Sequence, residues 1–586
     1  MEDKKGFNLH LIIIFLISLL FFSYAFTVDI RVRQRGGFFS DEASYFSITQ
    51  SIAYDFDLKY TKKDIYRIKR DFGTPQGIFL KKGKDGTLYF SKSFIYPLFV
   101  APFYKIFKTN GFFIFHAILL TLILYLGFKL TKKYFEENLA LLYTLLFTFG
   151  SIAWIYFFWM TADFFNFATV FLSYLIFFIY KDSSKISPLL ISAFLLGIAT
   201  FSKPPNIVLA LPLLFILVFK IKSLKKFLLF SLSYMLPAVL LFGFLYLMTG
   251  DWNFMGGERK SFYYRFPYEQ KDYKFENLGI KMTSSNYWER YYITPKIFFL
   301  NLIYFFIGRY TGAFIYLFPG IFFMLLFLWR KERSNSIEGI IILITFFIEI
   351  LVYTGLAPDN YFGGAGSLGN RYALNFYPLL FFFFPKNINL KKAFSGFVLP
   401  FLFLAPAFFD PIFYSGYTGE LSKIGILKNF PPEITQILSI PTNINPHAYR
   451  KRLQNSNIFI LNNNFNALKE DRGIWIFEEG KIEFVLETFK KCKILKLELL
   501  NIPARKGHII KIKIGGVKRK IKLKPSERKD IFLFNIKPTL RIKKRFYYYG
   551  YIKTELSTIP FYTTKENRDR RRVSLYFKPI FEKCVE

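Results

Sequence analysis

The sequence predicts a polytopic α-helical membrane protein followed by an all-β sandwich, and two patterns lead to this fold class. Long apolar runs recur through the first 409 residues of a chain that is 53% hydrophobic. A helix needs about 20 such residues to cross the hydrocarbon core of a bilayer. From residue 455 onward, short runs alternate between apolar and polar residues, which is typical of strands exposed on one face.

The apolar runs predict about eleven spans. Lipid offers no partner to free backbone groups, so each run must be helical. The run from Leu9 to Phe26 has no small-residue cleavage pattern after it, and we expect an uncleaved span rather than a signal peptide. Residues 186–201 and 206–220 could instead form a re-entrant pair. The predicted spans are 9–27, 110–130, 139–160, 164–180, 186–201, 206–220, 227–249, 308–329, 337–356, 372–385 and 394–409.

The distribution of positive charge predicts the orientation of these spans. The net charge of +38 comes from 79 Lys and Arg against 41 Asp and Glu, and much of it lies in short loops between spans. Such loops are typical of the cytoplasmic side and of contact with membrane lipids, so no nucleic-acid partner is expected. The N-terminus is then cytoplasmic and the C-terminal domain exocytoplasmic, in an inner or plasma membrane. The basic loops are KLTKKYFEEN, YKDSSK, KIKSLKK, WRKERS and PKNINLKK.

Three regions follow from these patterns. Residues 1–409 form the transmembrane domain, 410–454 a linker on the outer surface, and 455–586 an exocytoplasmic β-sandwich. Within the first region, 28–109 is a long outer loop. Its segment SDEASYFSITQSIAYDFDL has helical spacing, and SFIYPLFVAPFYKIF predicts a second, interfacial helix. Cys492 and Cys584 could form a disulfide or remain two thiols.

Acidic residues on two outer loops are the first candidates for chemistry. Asp41 and Glu42 begin the predicted helix that follows the first span, and Asp163 lies between two later spans. A carboxylate at such a position could accept a proton from a hydroxyl group that attacks a sugar carbon. Acids at a helix N-terminus are also explained by the helix dipole alone, and Asp163 by exposure to water at headgroup level.

Basic residues on the outer side are the second group of candidates, because they run against the usual distribution of charge. A lipid that carries phosphate would explain them, since fixed cations bind phosphate oxygens and stabilise a phosphate leaving group. Contact with anionic headgroups is the alternative, and it suits Arg309 better than Arg371. The candidates for binding phosphate are Lys203, Arg259, Lys260 and Arg371.

The sequence gives little indication of a metal-binding site or a nucleotide-binding site. The four His are scattered and no His/Cys cluster has the spacing of zinc ligands, so no structural zinc site is expected. Two carboxylates on separate outer loops could hold a divalent cation, and no other cofactor is indicated. The glycine-rich segment GGAGSLG before Arg371 lacks the strand–helix context of a nucleotide-binding loop.

Taken together, residues 9–409 resemble the GT-C glycosyltransferases, and within them the protein mannosyltransferase and aminoarabinose transferase group. The motifs that carry this resemblance are SDEASYFSITQSIAYDFDL, TADFFN, FSKPPN, GDWNFMGGERKSFYYRFP and GAGSLGNRYALNFYPLL. The resemblance implies a GT-C-like fold in which Asp41 is the functional acid of the first outer loop, with Glu42 adjacent and Asp163 as the second acid. It also implies an inverting transfer from a polyprenyl-phosphate sugar, outside the cytoplasm, with basic residues on the lipid phosphate.

The same resemblance extends to the C-terminal strands, which look like a jelly roll of the carbohydrate-binding type. The closing segment NRDRRRVSLYFKP resembles the last strand of such domains, with Asp569 and Arg571 in a structural turn rather than a sugar site.

The function these observations favour is transfer of a hexose or pentose to an envelope acceptor that is a lipid, a glycan or a protein. Lys203 and Arg371 would hold the donor phosphate, and Asp41, assisted by Glu42 or Asp163, would activate the acceptor. A transporter or flippase of lipid-linked sugars is one alternative, although the acids cluster at the outer boundary and no internal repeat is visible. A non-catalytic glycan-binding envelope protein is the other. No motif fixes the sugar or the acceptor.

Overall fold

A computed structural model of the chain divides it into two compact units. The first comprises Met1–Asn286, Gly312–Tyr353 and Leu368–Tyr417, and the second Tyr287–Thr311, Thr354–Ser367 and Thr418–Glu586. The residues that the structure describes are 9–29, 40–73, 75–254, 257–281, 294–329, 337–364, 366–416, 418–440, 451–453, 456–461, 467–470, 473–477, 480–502, 507–557, 559 and 572–585. Residues 282–293, part of the predicted linker (441–450), Asp569 and Arg571 lie outside them.

The α-helices are numbered in chain order, and the 3₁₀ and π-helices are given by their residue ranges. The α-helices are α1 Leu9–Thr27, α2 Ser40–Asp55, α3 Lys62–Phe72, α4 Ile95–Phe107, α5 Asn110–Thr131, α6 Glu137–Phe149, α7 Ala162–Tyr180, α8 Ser187–Ser202, α9 Leu211–Phe215, α10 Leu224–Thr249, α11 Pro295–Ile307, α12 Ala313–Tyr316, α13 Phe318–Leu328, α14 Ile337–Leu356, α15 Leu390–Phe409, α16 Pro411–Gly416 and α17 Thr418–Leu421. Short 3₁₀ helices lie at Ile152–Phe158, Pro204–Ala210, Ala373–Asn375, Tyr377–Phe383, Gly425–Asn429 and Ile434–Gln436, and Ile216–Lys220 is a π-helix.

The helices confirm a polytopic membrane protein. Within the described part of the chain, six helices are long and apolar enough to cross a membrane, namely α1, α5, α7, α10, α14 and α15. The helix α6 and the 3₁₀ helix after it form a further pair, bent by 61°. Shorter apolar helices include α4, α8, α11 and α13. Eleven spans therefore remain a prediction, while the class of fold is established.

Two apolar runs that were predicted as spans take other conformations. Residues 372–385 form two 3₁₀ helices, because Pro378 interrupts regular helix and every residue of Tyr377–Phe383 is buried against other helices. The ring of Tyr377 stacks on Phe147 at 4.3 Å. This run is apolar because it lies inside the bundle rather than against lipid. The run 308–329 is divided between α12 and α13, with Pro319 in the first turn of α13.

The basic loops of the first unit meet at one end of its helices. Glu338, at the start of α14, forms ion pairs with both Lys181 and Lys220, from two different loops. Lys133 donates a hydrogen bond to the carbonyl of Ile179 at 2.7 Å. A helix of 19 residues is about 28 Å long, so the opposite end of α7, where Asp163 lies, is remote from these loops.

Near that opposite end, residues from the loop 28–109 and from the segment after α10 form one antiparallel sheet in the order β2-β1-β3-β4. The strands are β1 Gln76–Lys82, β2 Leu88–Phe90, β3 Glu258–Tyr263 and β4 Ile280–Lys281. Helix α2, which was correctly predicted, packs on β1. The hydroxyl of Ser44 accepts a hydrogen bond from the Phe79 amide and donates one to the Gly77 carbonyl, both at 3.1 Å. The sheet therefore fixes the helix that begins at Ser40.

The second unit contains the predicted β-sandwich. Its strands are β5 Lys451–Arg452, β6 Asn457–Ile460, β7 Ala467–Glu470, β8 Gly473–Phe477, β9 Gly480–Thr488, β10 Lys491–Asn501, β11 His508–Ile514, β12 Val517–Leu523, β13 Arg528–Phe534, β14 Leu540–Ile542, β15 Arg545–Thr554 and β16 Val573–Val585. A five-stranded sheet (β13-β10-β16-β8-β7) faces a seven-stranded sheet (β12-β11-β15-β9-β6-β5, with β14 on β15), and one apolar core lies between them. Cys492 and Cys584 form a disulfide between β10 and β16, which settles the question the sequence left open. The predicted boundaries at 409 and 455 remain predictions.

Arg309 does not contact headgroups, which corrects the interpretation drawn from the sequence. Its side chain is 2% exposed and forms an ion pair at 2.6 Å with Glu483 of β9, which is 3% exposed. Its guanidinium also donates hydrogen bonds to the carbonyls of Phe430 and Lys428. The segment after α11 is therefore held to the sandwich by a buried ion pair. The guanidinium of this pair also donates hydrogen bonds to backbone carbonyls of the protein.

A second buried carboxyl lies beside this pair. One oxygen of Glu433 accepts hydrogen bonds from the amides of Tyr310 and Thr311, each at 2.8 Å, and from the Thr311 hydroxyl at 2.9 Å. Its other oxygen has no partner among the described residues. Burial raises the pKa of Glu433 to about 7, and the three hydrogen bonds offset only part of that rise.

Stability is expected to fall as the pH rises through 7, because Glu433 is buried and forms no ion pair with any residue that the structure describes. Because the folded-state pKa lies above the ordinary value of 4.5, the contribution of Glu433 to stability is fully present below pH 4.5 and is lost as the pH rises through about 7. Glu433→Gln should flatten this dependence, with a gain of about 3 kcal/mol at pH 8.5 and none at pH 5. Thermal melting of the purified protein against pH measures it, with exposed Glu258→Gln as the control. Parallel pH profiles for wild type and Glu433→Gln would contradict the assignment.

Candidate functional site

Asp41 lies in the first turn of α2 and meets two cations. Its Oδ1 lies 2.7 Å from the Nζ of Lys92, and its Oδ2 lies 3.0 Å from a terminal nitrogen of Arg371. The Asp41 side chain is 14% exposed. The helix position favours a carboxylate, but these contacts go well beyond an interaction with the helix dipole.

Asp163 occupies the first turn of α7 and is held by residues from two loops. Thr161, the residue before the helix, donates its hydroxyl to Oδ2 at 2.9 Å. Lys203 donates to Oδ1 at 2.6 Å. Lys203 stands where α8 ends, and its extended conformation is the one that a following proline, Pro204, imposes. The motif FSKPPN thus ends helix α8 and places Lys203 in contact with Asp163.

Arg371 joins the two carboxylates. The same terminal nitrogen lies 3.0 Å from Asp41 and 3.7 Å from Asp163. The arginine is placed by its neighbours in the chain, since the Asn370 side chain accepts a hydrogen bond from the Ala373 amide and so starts the next short helix. Gly369 has a φ of +61°, and a Cβ there would overlap neighbouring side chains. The glycine-rich loop is therefore a packed support for Arg371 at this position.

Lys92 is the residue of this cluster that the sequence reasoning missed. It lies between β2 and α4, and its ammonium sits 4.6 Å from the centre of the Phe79 ring. Arg259 shares that ring at 4.9 Å and donates a hydrogen bond to the carbonyl of Ser91 at 3.0 Å. The predicted Arg259 thus supports the segment that carries Lys92. The available signal was a lysine between two serines next to a predicted interfacial helix.

The remaining two predicted site residues have different surroundings. Glu42 accepts a hydrogen bond at 3.1 Å from the amide of Met160, which connects α2 to the loop before Asp163. Lys260 donates to three backbone carbonyls, of Phe275, Glu276 and Leu278. An ammonium has three hydrogens, so these bonds use all of them. The structure brings Asp41, Asp163, Lys203 and Arg371 together, and it places Lys260 outside this cluster.

The charges of the cluster shift the pKa values of Asp41 and Lys92. Burial raises the pKa of the Asp41 carboxyl, but Lys92 and then Arg371 more than offset this, and the pKa lies well below its ordinary value. Burial lowers the pKa of the Lys92 ammonium, and the charge of Asp41 restores only part of it. Asp41 is therefore a carboxylate at neutral pH.

The cluster holds more cations than acids. Lys92, Lys203 and Arg371 face two carboxylates, which leaves an excess of one positive charge. Buried polar atoms beside these cations in the chain have no partner among the described residues: the Ser93 and Ser202 hydroxyls, the Asn370 amide nitrogen and the Arg371 Nε. Such atoms are rare in native proteins unless a ligand or water completes them.

No group of three or more His, Cys, Asp or Glu that could hold a metal ion occurs among the residues that the structure describes. The two acids face cations instead of each other, with Arg371 between them. A divalent cation at the cluster stays a prediction.

Fold and cluster together define a class: a polytopic membrane protein with a charge-paired acidic and basic site at one end of its helices and an all-β C-terminal region. Residues 91–246, a little over a quarter of the chain, match a family model described as "Dolichyl-phosphate-mannose-protein mannosyltransferase". This stretch, which resembles that glycosyltransferase family, contains Lys92, Asp163 and Lys203. None of the curated proteins matches the chain.

Three solved structures show weaker likenesses. Two are crystal structures of ArnT from Cupriavidus metallidurans, one bound to undecaprenyl phosphate (10% identity, TM-score 0.41) and one in the apo state (12%, 0.40). Each match covers 66% of this chain, which spans about three fifths (62% and 61%) of the ArnT chains. The third is TmCBM61 in complex with β-1,4-galactotriose, with 15% identity, a TM-score of 0.13, and coverage of 21% of this chain and 82% of that one. At TM-scores below 0.5 these likenesses carry no argument about function.

Proposed function

We propose that the protein transfers a sugar, a hexose or pentose, from a polyprenyl-phosphate donor to an envelope acceptor on the outer side of the membrane. The observation that carries the proposal is the cluster in which Arg371 bridges Asp41 and Asp163 while Lys92 and Lys203 flank them. A carboxylate that could activate the acceptor and cations that could bind a phosphate then lie within one cluster. The family match over residues 91–246 supports the same class of reaction.

In the proposed mechanism the acceptor hydroxyl attacks the anomeric carbon directly. The bond from that carbon to the donor phosphate oxygen breaks, the lipid phosphate leaves with the electron pair, and the hydroxyl proton passes to Asp41. One displacement inverts the configuration at the anomeric carbon. Lys203, Arg371 and Lys92 stabilise the charge that develops on the leaving phosphate. Glu42 and Arg259 act as positioning residues, through the loop before Asp163 and through the Lys92 segment.

The paired resting state has a consequence for the base. A carboxylate with a strongly depressed pKa is a weak proton acceptor. When a phosphate draws Lys92 and Arg371 toward itself, the field on Asp41 weakens and its pKa returns toward the ordinary range. Donor binding would thereby activate the base, and the order of binding would be donor before acceptor.

The direct test supplies purified protein with polyprenyl-phosphate sugars and envelope acceptors and follows formation of the glycoside. Nuclear magnetic resonance of the product gives its anomeric configuration, which should be opposite to that of the donor. Retention of configuration would contradict direct displacement. Absence of any glycoside with every donor and acceptor pair tried would contradict the transferase proposal.

Replacement of Lys92 by Gln is expected to raise the donor KM by about 10- to 100-fold, because one charged hydrogen bond to the phosphate is worth about 1.5–3 kcal/mol. The loss of Lys92 also lets the pKa of Asp41 rise in the free enzyme, so the acid limb of the pH–kcat/KM profile should move to higher pH. Steady-state kinetics against donor concentration and pH measures both. Lys271→Gln, an exposed lysine, serves as the control. An unchanged acid limb would contradict the claim that Lys92 lowers the pKa of Asp41.

The proposed orientation places the N-terminus in the cytoplasm and the sandwich outside. The basic loops that meet at Glu338 follow the distribution expected of the cytoplasmic side. The Cys492–Cys584 disulfide suits an oxidising compartment. Accessibility of an added cysteine near Lys181 and of another near Lys544 to an impermeant thiol reagent in intact cells would test it.

A transporter of lipid-linked sugars is the second candidate, and Glu349 favours it. This residue lies within α14, its side chain is fully buried, and neither carboxyl oxygen has a partner among the described residues. An intramembrane carboxyl of this kind often belongs to a transport pathway. Movement of the lipid donor across proteoliposomes without formation of a glycoside, abolished by Glu349→Gln, would favour the transporter.

A further inference from the structure

The outer face of the seven-stranded sheet carries a row of lysines across four adjacent strands. In the strand register Lys511 lies opposite Lys520 on one side and Lys553 on the other, and Lys553 lies opposite Lys481. Residues directly opposite each other in antiparallel strands project from the same face, and like charges so placed destabilise a sheet. The lysine face, as we call it, comprises Lys481, Lys511, Lys513, Lys518, Lys520, Lys522 and Lys553.

Acidic residues compensate little of this charge. Lys511 pairs with Glu555 at 3.0 Å, and Lys481 pairs with Glu483 at 2.6 Å. Glu483 is shared with Arg309, so it neutralises less than one lysine. Within the part of the chain that the structure describes, the other five lysines of the face form no ion pair. A contiguous surface with an excess of about five positive charges therefore faces outward.

Protection of a sheet edge explains only part of the pattern. Lysines on an edge strand discourage pairing with another chain, and β12 is such an edge. Lys511 and Lys553 lie on β11 and β15, which are paired on both sides, and Lys481 lies on β9, between β15 and β6. Interior strands need no such protection, so the repulsion across these strands requires another reason.

An aromatic groove adjoins this face. It is an open surface groove between the two edge strands β12 and β13, with a volume of about 570 Å³. It is lined by Lys520, Lys522 and Lys529, by Asp530, by Ile521 and Ile531, and by Phe532 and Phe534. The two phenylalanines are 40% and 54% exposed, and their rings stack with centroids 6.2 Å apart. Two adjacent exposed rings offer an apolar contact surface, and a flat ring suits the apolar face of a sugar ring.

We propose that the lysine face and this groove bind an acidic polysaccharide. The cross-strand row would contact successive carboxylates, sulfates or phosphates of the polymer, while Phe532 and Phe534 would stack on its sugar rings. An anionic membrane surface would attract the same lysines, and the vesicles in the test below distinguish it from a polysaccharide. The inference stands independently of the transferase proposal, because all its residues lie in the sandwich.

The test uses the full-length protein in nanodiscs of neutral lipid. Binding of polygalacturonate is measured by isothermal titration calorimetry, beside neutral dextran of similar length and vesicles of phosphatidylglycerol and phosphatidylcholine. The variants are Lys511→Gln/Lys520→Gln/Lys553→Gln and Phe532→Ala/Phe534→Ala. The matched control, Lys491→Gln/Lys493→Gln/Lys544→Gln, removes three exposed lysines of the same domain outside the face.

Wild type and the matched control should bind polygalacturonate equally, with an affinity that falls as salt rises, and neither should bind dextran. The lysine variant and the phenylalanine variant should each bind at least tenfold more weakly. The lysine variant should melt no lower than wild type, since it loses repulsion. Equal losses in the matched control, equal binding of dextran, or binding to the anionic vesicles without binding of polygalacturonate would each overturn the proposal.

Discussion

Replacing Asp41 by Asn is expected to lower kcat/KM for sugar transfer by about 10²- to 10⁴-fold, the usual contribution of a general base. The asparagine keeps the shape of the side chain but cannot take the proton of the acceptor. It also releases Lys92 and Arg371 from their shared carboxylate. Donor affinity should therefore stay the same or rise, because both cations become free to bind phosphate.

The measurement compares glycoside formation and donor binding by wild type and Asp41→Asn at several pH values. Asp272→Asn, which changes an exposed acid of the same unit, should behave as wild type. Glycoside formation by Asp41→Asn at the wild-type rate would remove Asp41 from the mechanism. A loss of donor binding in parallel with the loss of rate would assign Asp41 to the architecture of the site instead of the chemistry.

Replacing Arg309 by Met should destabilise the second unit by about 3–5 kcal/mol, because it leaves Glu483 buried with only part of its partners. The charge of Arg309 is the main opposing influence on Glu483, where burial alone would raise the pKa and the net pKa is lowered. The carbonyls of Phe430 and Lys428 also lose a donor. A Glu with a lowered pKa stabilises the fold above its unfolded pKa and loses that contribution as the pH falls.

The double variant Arg309→Met/Glu483→Leu provides the control for this prediction. Removing both charges replaces the pair by apolar groups and should recover much of the stability lost in Arg309→Met. Thermal melting of the purified protein at pH 7.5 measures all three. If the single variant melts with wild type, the pair carries no stability. If the double variant melts lower than the single, the buried charge of Glu483 is not the cause of the loss.

The sequence predicted the class of fold well and the details of the membrane helices less well. Apolar runs identify helices that cross lipid, but they identify equally a segment buried inside the bundle, and residues 372–385 are such a segment. Periodicity cannot distinguish these two surroundings. The alternating runs after residue 455 were sufficient to predict the sandwich, because one buried face and one exposed face impose a period of two.

The candidate site was predicted in part. Asp41, Asp163, Lys203 and Arg371 stood out because charge near a membrane is costly, and that cost is a local property that a sequence displays. Lys92 was missed because its position beside Asp41 depends on the packing of β1, β2 and α2, which no local pattern shows. Lys260 was included because its charge was visible, whereas the three carbonyls that bind it were not.

The sheet that supports α2 has a consequence for how the protein is made. Its central strand β1 lies between β2, which follows it at once, and β3, which begins at Glu258 and is synthesised only after several helices have been inserted. One edge of β1 thus stays unpaired until its partner strand, about 180 residues downstream, has been synthesised. Arg371 is synthesised later still. The charged cluster cannot assemble on a nascent chain shorter than 371 residues, so a truncated product would expose Asp41 and Lys92 on an unfinished scaffold.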